Sequence, residues 1–239
     1  MPWGCYVDPS DNDPDPPAGD DREKPEVVAS GVNITAIGVN EDGTPAPNAY
    51  ELDGTSFAAP QVTGMAALLI NRHSTLLHVP SALKAIVMAS AIHNIEGSSR
   101  LSEYDGAGGI AATVGDTIAI TRGTNDAIPC SVPCWWYETI YPSSFTNNNL
   151  NRYFNAVQGD TVRVVISWFS NAYCPNENNC TLDHLDTDLD LWIYNPSGTF
   201  VISSASFDNN YEIVEFVANT TGQYRIEVKI MLSTKTITL

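Results

Sequence analysis

The best candidates for catalytic residues in this sequence are Gly54, Thr55 and Ser56, which precede a segment with helical periodicity. At a helix start, free N–H groups and the positive end of the helix dipole favour negative charge. That setting suits a serine that attacks a carbonyl and must stabilise the resulting oxyanion. Gly54 would let a substrate backbone approach closely. Thr55 or Ser56 could equally be a helix N-cap, and the residues alone leave both interpretations open.

A second candidate site is the acidic run formed by Asp186, Asp188 and Asp190. Residues two apart on a strand share a face, so these carboxylates could bind one calcium ion together with loop carbonyls. Leu189 and Leu191 would then point into the core. The alternative is an edge strand whose outer face carries negative charge to deter aggregation.

The five cysteines are Cys5, Cys130, Cys134, Cys174 and Cys180. The middle pair and the last pair are each spaced to close a small disulfide ring, which would indicate an oxidising compartment. Unpaired thiols are a second interpretation, and a zinc site without CxxC spacing is a third. Cys5 is left over and would need a partner outside this chain.

The elements that must position these residues change type along the chain. Residues 58–73 carry apolar side chains at three- and four-residue spacing, and a second helix is predicted to begin at Pro80. Residues 26–29 predict a short buried strand. β-branched or alternating runs separated by turn residues then predict antiparallel strands at 161–169, 188–194, 199–203, 211–217 and 223–230.

These patterns predict an α/β part followed by an all-β antiparallel sandwich of jelly-roll type. Residues 1–118 form the first part, which contains an acidic, proline-rich arm at 7–26 that opposes regular structure. Residues 119–149 are a linker or the start of the second domain. The sandwich occupies 150–239.

The string Asp-Gly-Thr-Ser-Phe-Ala-Ala-Pro-Gln-Val-Thr-Gly-Met-Ala-Ala-Leu-Leu at 53–69 closely resembles the serine motif of subtilisin-like serine proteases, the subtilases. Residues 24–34 are similar to the strand and turn that precede the active-site loop in that family. Residues 82–91 and 104–108 are similar to its closing helix and glycine turn. The resemblance therefore covers roughly residues 22–112, the C-terminal part of a catalytic domain.

The resemblance implies that Ser56 is the nucleophile of an endopeptidase and that its own N–H helps to bind the oxyanion. A subtilase also needs an aspartate and a histidine, in the chain order Asp, His, Ser. All four histidines follow Ser56, namely His73, His78, His93 and His184. The surrounding residues do not form the G-x-S-x-G elbow of an α/β-hydrolase. We therefore expect the chain alone to lack meaningful peptidase activity.

Residues 188–198 and 221–228 resemble pre-peptidase C-terminal and proprotein-convertase-like sandwich domains, which follow secreted proteases. That position after a subtilase core implies an accessory domain. The expected cofactor is structural calcium at the three aspartates, and no organic cofactor is indicated.

The amino-acid composition argues against two classes of binding partner. The 239 residues carry 11 Lys+Arg against 28 Asp+Glu, a formal charge of −17. Such a chain is repelled by nucleic-acid phosphates and by anionic membrane surfaces, so we expect neither as a partner. The longest apolar run is far shorter than the roughly 20 residues that span a bilayer.

The sequence thus predicts the C-terminal portion of a secreted subtilisin-like serine endopeptidase acting on protein or peptide substrates. The missing N-terminal half of the catalytic domain would be its partner. The alternative is a non-catalytic, degenerate protease shell that binds other molecules through its sandwich.

Overall fold

The structure is a computed structural model. It describes residues 25–40, 42–92, 105–123, 130–170, 185, 187–206, 209–233 and 237–238. The acidic arm at 7–26 lies almost wholly outside these ranges, so its predicted lack of regular structure stays a prediction.

The first part of the chain begins with an antiparallel hairpin and continues with helices. The hairpin consists of β1 (Ile34–Val39) and β2 (Pro45–Leu52). It leads directly into α1 (Thr55–Arg72), which is followed by a 3-10 turn at Ser74–Leu77, α2 (Pro80–Ser90) and α3 (Ala112–Ile120). The two predicted helices are confirmed, with α1 beginning three residues earlier than the apolar periodicity indicates.

The predicted strand at 26–29 is reduced to a single parallel bridge between Val28 and Gly109. The glycine-containing turn at 105–109 packs against this segment very closely. A Cβ at Gly106 would lie 2.0 Å from the carbonyl oxygen of Pro25, and Gly106 has a positive φ of 61°. Only glycine fits there without moving the backbone.

The second part contains the remaining strands: β3 (Cys130–Ser131), β4 (Thr139–Ile140), β5 (Asn149–Ala156), β6 (Thr161–Ser167), β7 (Thr187–Tyr194), β8 (Phe200–Ser204), β9 (Tyr211–Val217), β10 (Gly222–Ser233) and β11 (Ile237–Thr238). The five strands predicted from alternation are all present. A five-stranded sheet has the order β3-β5-β10-β7-β8, while β6 pairs with β9 and β4 with β11. All pairs are antiparallel except β3 with β5.

Strand β7 lies inside its sheet, between β10 and β8. The interpretation of this segment as an edge strand is therefore wrong. Leu189, Leu191 and Ile193 are fully buried in the main apolar cluster, as the alternation predicts. Side chains from β6 and β9, including Val162 and Val214, belong to the same cluster, so both sheets contribute to one core.

Helix α1 is much less covered than its composition suggests. Of its 18 residues only Met65 and Leu69 are buried, and Leu68 is 63% exposed. Such an apolar helix normally packs on more than one side. Within the described ranges no helix is long and apolar enough to cross a membrane.

Candidate functional site

Ser56 lies at the second position of α1, and its side chain is exposed. The residue that precedes the helix is Gly54, and no side chain caps this end. The N-cap interpretation of Thr55 and Ser56 is thus not what the structure has. The first N–H groups of a helix lack intrahelical acceptors. The hydroxyl of Ser56 is therefore exposed beside the free N–H groups at the start of α1.

The loop before Ser56 is fixed by hydrogen bonds to the turn at 30–33. The Gly54 N–H donates to the carbonyl of Gly31 at 2.7 Å. The N–H of Asn33 donates to Oδ1 of Asp53 at 2.7 Å. These bonds hold two points of the loop against a turn that is far away in sequence, so the position of Ser56 does not depend on the helix alone.

Gln61 adds a third attachment from the first turns of α1. Its Nε2 donates to the carbonyl of Ser30 at 2.6 Å and to that of Phe57 at 2.8 Å. One side chain thus joins the beginning of the helix to the 30–33 turn. Gly31 permits the close approach of the loop to this turn, since a Cβ there would lie 2.9 Å from the carbonyl oxygen of Gly54.

No described histidine can serve Ser56 as a base. His73 follows the last residue of α1, and a rise of about 1.5 Å per residue places it about 25 Å from Ser56 along the helix. Its ring is 5.1 Å from that of Trp135, in an edge-on contact. His78 lies beyond it, past the following 3-10 turn. His93 and His184 lie outside the described residues.

The acidic run is more buried than predicted. Asp188 is only 6% exposed and Asp190 is half-buried, while Asp186 lies outside the described residues. Burial also raises the pKa of the Asp190 carboxyl. The two described aspartates alternate with fully buried leucines, so they share a face of β7 as expected.

A third carboxyl group, that of Glu212 on β9, belongs to the same surroundings. Glu212 is 1% exposed, and burial raises its pKa to about 8. The hydroxyl of Ser204 and the N–H of Ser206 donate to it, which lowers the pKa, while the charges of Asp190 and Asp188 raise it further. The described residues contain no group of three or more His, Cys, Asp or Glu side chains arranged to hold a metal ion.

Cys134 forms a disulfide bond, which favours the disulfide interpretation for this cysteine over an unpaired thiol or a zinc ligand. Cys5, Cys174 and Cys180 lie outside the described residues, so the pairing predicted for the last two stays a prediction.

Comparison with known proteins adds to this geometry. The model of the subtilase family matches residues 8–117. The match supports a subtilase region in this part of the chain. The chain is also 28% identical over 128 residues to the CO(2)-response secreted protease of Arabidopsis thaliana, an alignment that covers 47% of this chain and 16% of that protein. It therefore spans only a small fraction of that curated relative, and the support for a serine protease stands at the level of the family.

The sequence singled out Ser56, Gly54 and Thr55 as candidates, but it did not single out the residues that hold the loop before Ser56. Asp53 and Gln61 stand within the recognised motif, so the motif itself held their signal. The turn at 30–33 stood just after the predicted strand. Nothing in the sequence indicated that its carbonyls would accept hydrogen bonds from the serine helix.

Proposed function

We propose that this chain is the C-terminal portion of a secreted subtilisin-like serine endopeptidase, in which Ser56 attacks the scissile carbonyl of a protein or peptide substrate. The observation that carries the proposal is the exposed Ser56 hydroxyl at the start of α1, within the region that matches the subtilase family.

In this reaction Ser56 forms an acyl-enzyme, and its N–H at the helix start donates to the oxyanion. Gly54 leaves room for the substrate backbone, and Thr55 flanks the reacting serine. The hydrogen bonds from Asn33 and Gln61 keep the loop in place, so little reorganisation is needed when substrate binds.

The base that would deprotonate Ser56 comes from outside this chain. Among the described residues, the histidine adjacent to α1 is His73, which follows the end of the helix opposite to Ser56. Loss of a triad member lowers the rate by several orders of magnitude. The partner is the N-terminal half of the catalytic domain, which supplies aspartate and histidine. The poorly covered sides of α1, including the exposed Leu68, support such a partner.

The experiment compares this chain with a longer polypeptide that adds a subtilase aspartate and histidine segment ahead of it. The longer protein should hydrolyse a peptide library, and Ser56→Ala should abolish that activity. Thr63→Ala, on an exposed turn of the same helix, is the matched control and should leave it intact. Equal hydrolysis by the Ser56→Ala variant would refute the assignment.

For residues 150–239 we propose an accessory β-sandwich domain. The shared apolar cluster of the β6–β9 pair and the five-stranded sheet supports this proposal. The disulfide at Cys134 supports an extracellular location, and so does the similarity to an Arabidopsis protein that is named as a secreted protease. Because the chain carries a formal net charge of −17, nucleic acids and anionic membranes would repel it, and we do not expect them as partners.

We also propose a structural calcium ion at Asp186, Asp188 and Asp190, without an organic cofactor. Its test is a thermal-shift titration with calcium and with a chelator. A rise in Tm with calcium that is lost in the Asp190→Asn variant would support the site, and an unchanged Tm would exclude it.

The alternative is a non-catalytic protease shell that binds through its β part. It is favoured by the remoteness of His73 from Ser56. The same hydrolysis experiment separates the two proposals, because a degenerate shell stays inactive even when the missing segment is supplied.

A further inference from the structure

Arg163, on β6, reaches out of its own sheet to the end of α2. Its Nη1 donates to three backbone carbonyls, those of Met88 at 3.2 Å, Ala91 at 2.6 Å and Ala107 at 3.0 Å. Two of these carbonyls end the helix, and the third belongs to the glycine-containing turn at 105–109. One side chain of the β part therefore joins two separate segments of the subtilase region.

These bonds fall where a helix most needs them. The last carbonyls of an α-helix have no intrahelical donor, and the negative end of the helix dipole attracts a cation. Glu215, on the neighbouring strand β9, holds the guanidinium in place, because its Oε2 accepts from Nε at 2.8 Å. The Arg163 side chain is only 15% exposed, so solvent competes weakly for these contacts.

Apolar contacts surround the same point. Met88, Ala91 and Ala107 form a buried cluster with Tyr211 and Ile213 of β9. The guanidinium is thus one part of a continuous interface between the β6–β9 sheet and the end of α2.

The contact continues toward the serine loop through backbone hydrogen bonds. The N–H of Ala107 donates to the carbonyl of Glu26 at 2.8 Å, and the N–H of Val28 donates to the carbonyl of Gly108 at 3.0 Å. Two residues after Val28 begins the turn at 30–33, which binds Asp53, Gly54 and Gln61. The segment at 26–28 therefore links the Arg163 contact to the loop that carries Ser56.

Lys84 of α2 makes a second link between the same three parts. Its Nζ lies 3.0 Å from Oε1 of Glu26 and donates to Oδ1 of Asn210 at 3.0 Å. It also lies 4.3 Å from the centre of the Tyr211 ring. Lys84 thus joins α2 to the start of β9 and to the segment at 26–28. Arg163 joins β6 to the end of α2 and to the turn at 105–109.

We propose that Arg163 is a positioning residue for the serine loop. By donating to the carbonyls of Met88, Ala91 and Ala107, it makes the β6–β9 sheet part of the support of the subtilase region. The β part is then required to order the backbone at 26–33, and it is not a freely detachable binding module. This inference does not depend on catalysis. It can fail while the proposed function stands, and the proposed function can fail while this inference stands.

The test is hydrogen–deuterium exchange on the full chain, comparing wild type with Arg163→Met. Loss of hydrogen bonds to a charged group predicts exchange about tenfold faster in segments 86–92, 105–110 and 26–33. Strands β7 and β10 should keep their protection. Arg163→Lys should restore slow exchange to within about threefold of wild type, because one ammonium group carries three N–H donors.

Arg152→Met is the matched control. Arg152 is 19% exposed, pairs with Glu138 and donates to the carbonyl of Asn151, so its hydrogen bonds stay within the β part. It should leave the three segments unchanged. Should Arg163→Met fail to fold, Glu215→Gln removes the negative charge that helps to hold the guanidinium, and a smaller acceleration in the same segments is expected.

Three results would overturn the proposal. These are unchanged exchange in all three segments, equal acceleration in β7 and β10, and failure of Arg163→Lys to restore protection.

Discussion

Replacement of Glu212 by glutamine should make the stability of this chain less dependent on pH. Glu212 is 1% exposed, and burial raises its pKa from an ordinary 4.5 to about 8. Because the folded-state pKa is the higher one, the stabilisation is fully present below pH 4.5 and is lost as the pH rises through about 8.

Each pKa unit corresponds to about 1.36 kcal/mol, so the complete loss amounts to about 5 kcal/mol, of which about 3 kcal/mol is gone at pH 7. Glutamine keeps the shape of the protonated acid. Its oxygen can accept from the N–H of Ser206, and its amide can donate to the hydroxyl of Ser204. Glu212→Gln should therefore match wild type near pH 4.5 and exceed it by about 4 kcal/mol at pH 8.

The assay is urea unfolding at several pH values between 4.5 and 8, followed by tryptophan fluorescence, to which the fully buried Trp168 contributes. Glu51→Gln, on the exposed end of β2, controls for the loss of one carboxylate charge. If wild type and Glu212→Gln lose stability in parallel over this range, the reasoning about the buried carboxyl group is wrong.

Three further outcomes concern packing and surface charge. Leu189→Ala, at a fully buried position, should cost about 2–5 kcal/mol of unfolding free energy in a urea titration, and a loss below about 1 kcal/mol would mean that the core is misplaced. Gly106→Ala would put a Cβ 2.0 Å from the Pro25 carbonyl oxygen, so it should lower Tm clearly, and an unchanged Tm would contradict this close approach. Asp116→Asn removes the exposed ion pair with Arg72 and should barely change Tm at 0.15 M salt or above, where such pairs are screened; a large drop would show that the pair is more important than its exposure implies.

Local patterns predicted the elements whose side chains alternate or repeat clearly. Helix α2 and strands β6 and β9 lie close to where their periodicity placed them. The β1–β2 hairpin and α3 were missed, because short segments near glycines and prolines carry little periodic signal.

What the sequence could not supply was the arrangement of strands and the long-range contacts. The interior position of β7 depends on pairing with β10 and β8, which no local pattern encodes. The alternative interpretation of this segment as an edge strand was wrong for this reason. Likewise, the motif identified Ser56, whereas Arg163 gave no sign that it would reach the end of α2, 75 residues away along the chain.

The most direct test of the central claim is labelling with a fluorophosphonate, which reacts with activated serines. The chain alone should react slowly, and a longer polypeptide that supplies the subtilase aspartate and histidine should be labelled rapidly and stoichiometrically at Ser56. Rapid, stoichiometric labelling of Ser56 in the isolated chain would contradict the account, as would rapid labelling of the longer polypeptide at any other serine.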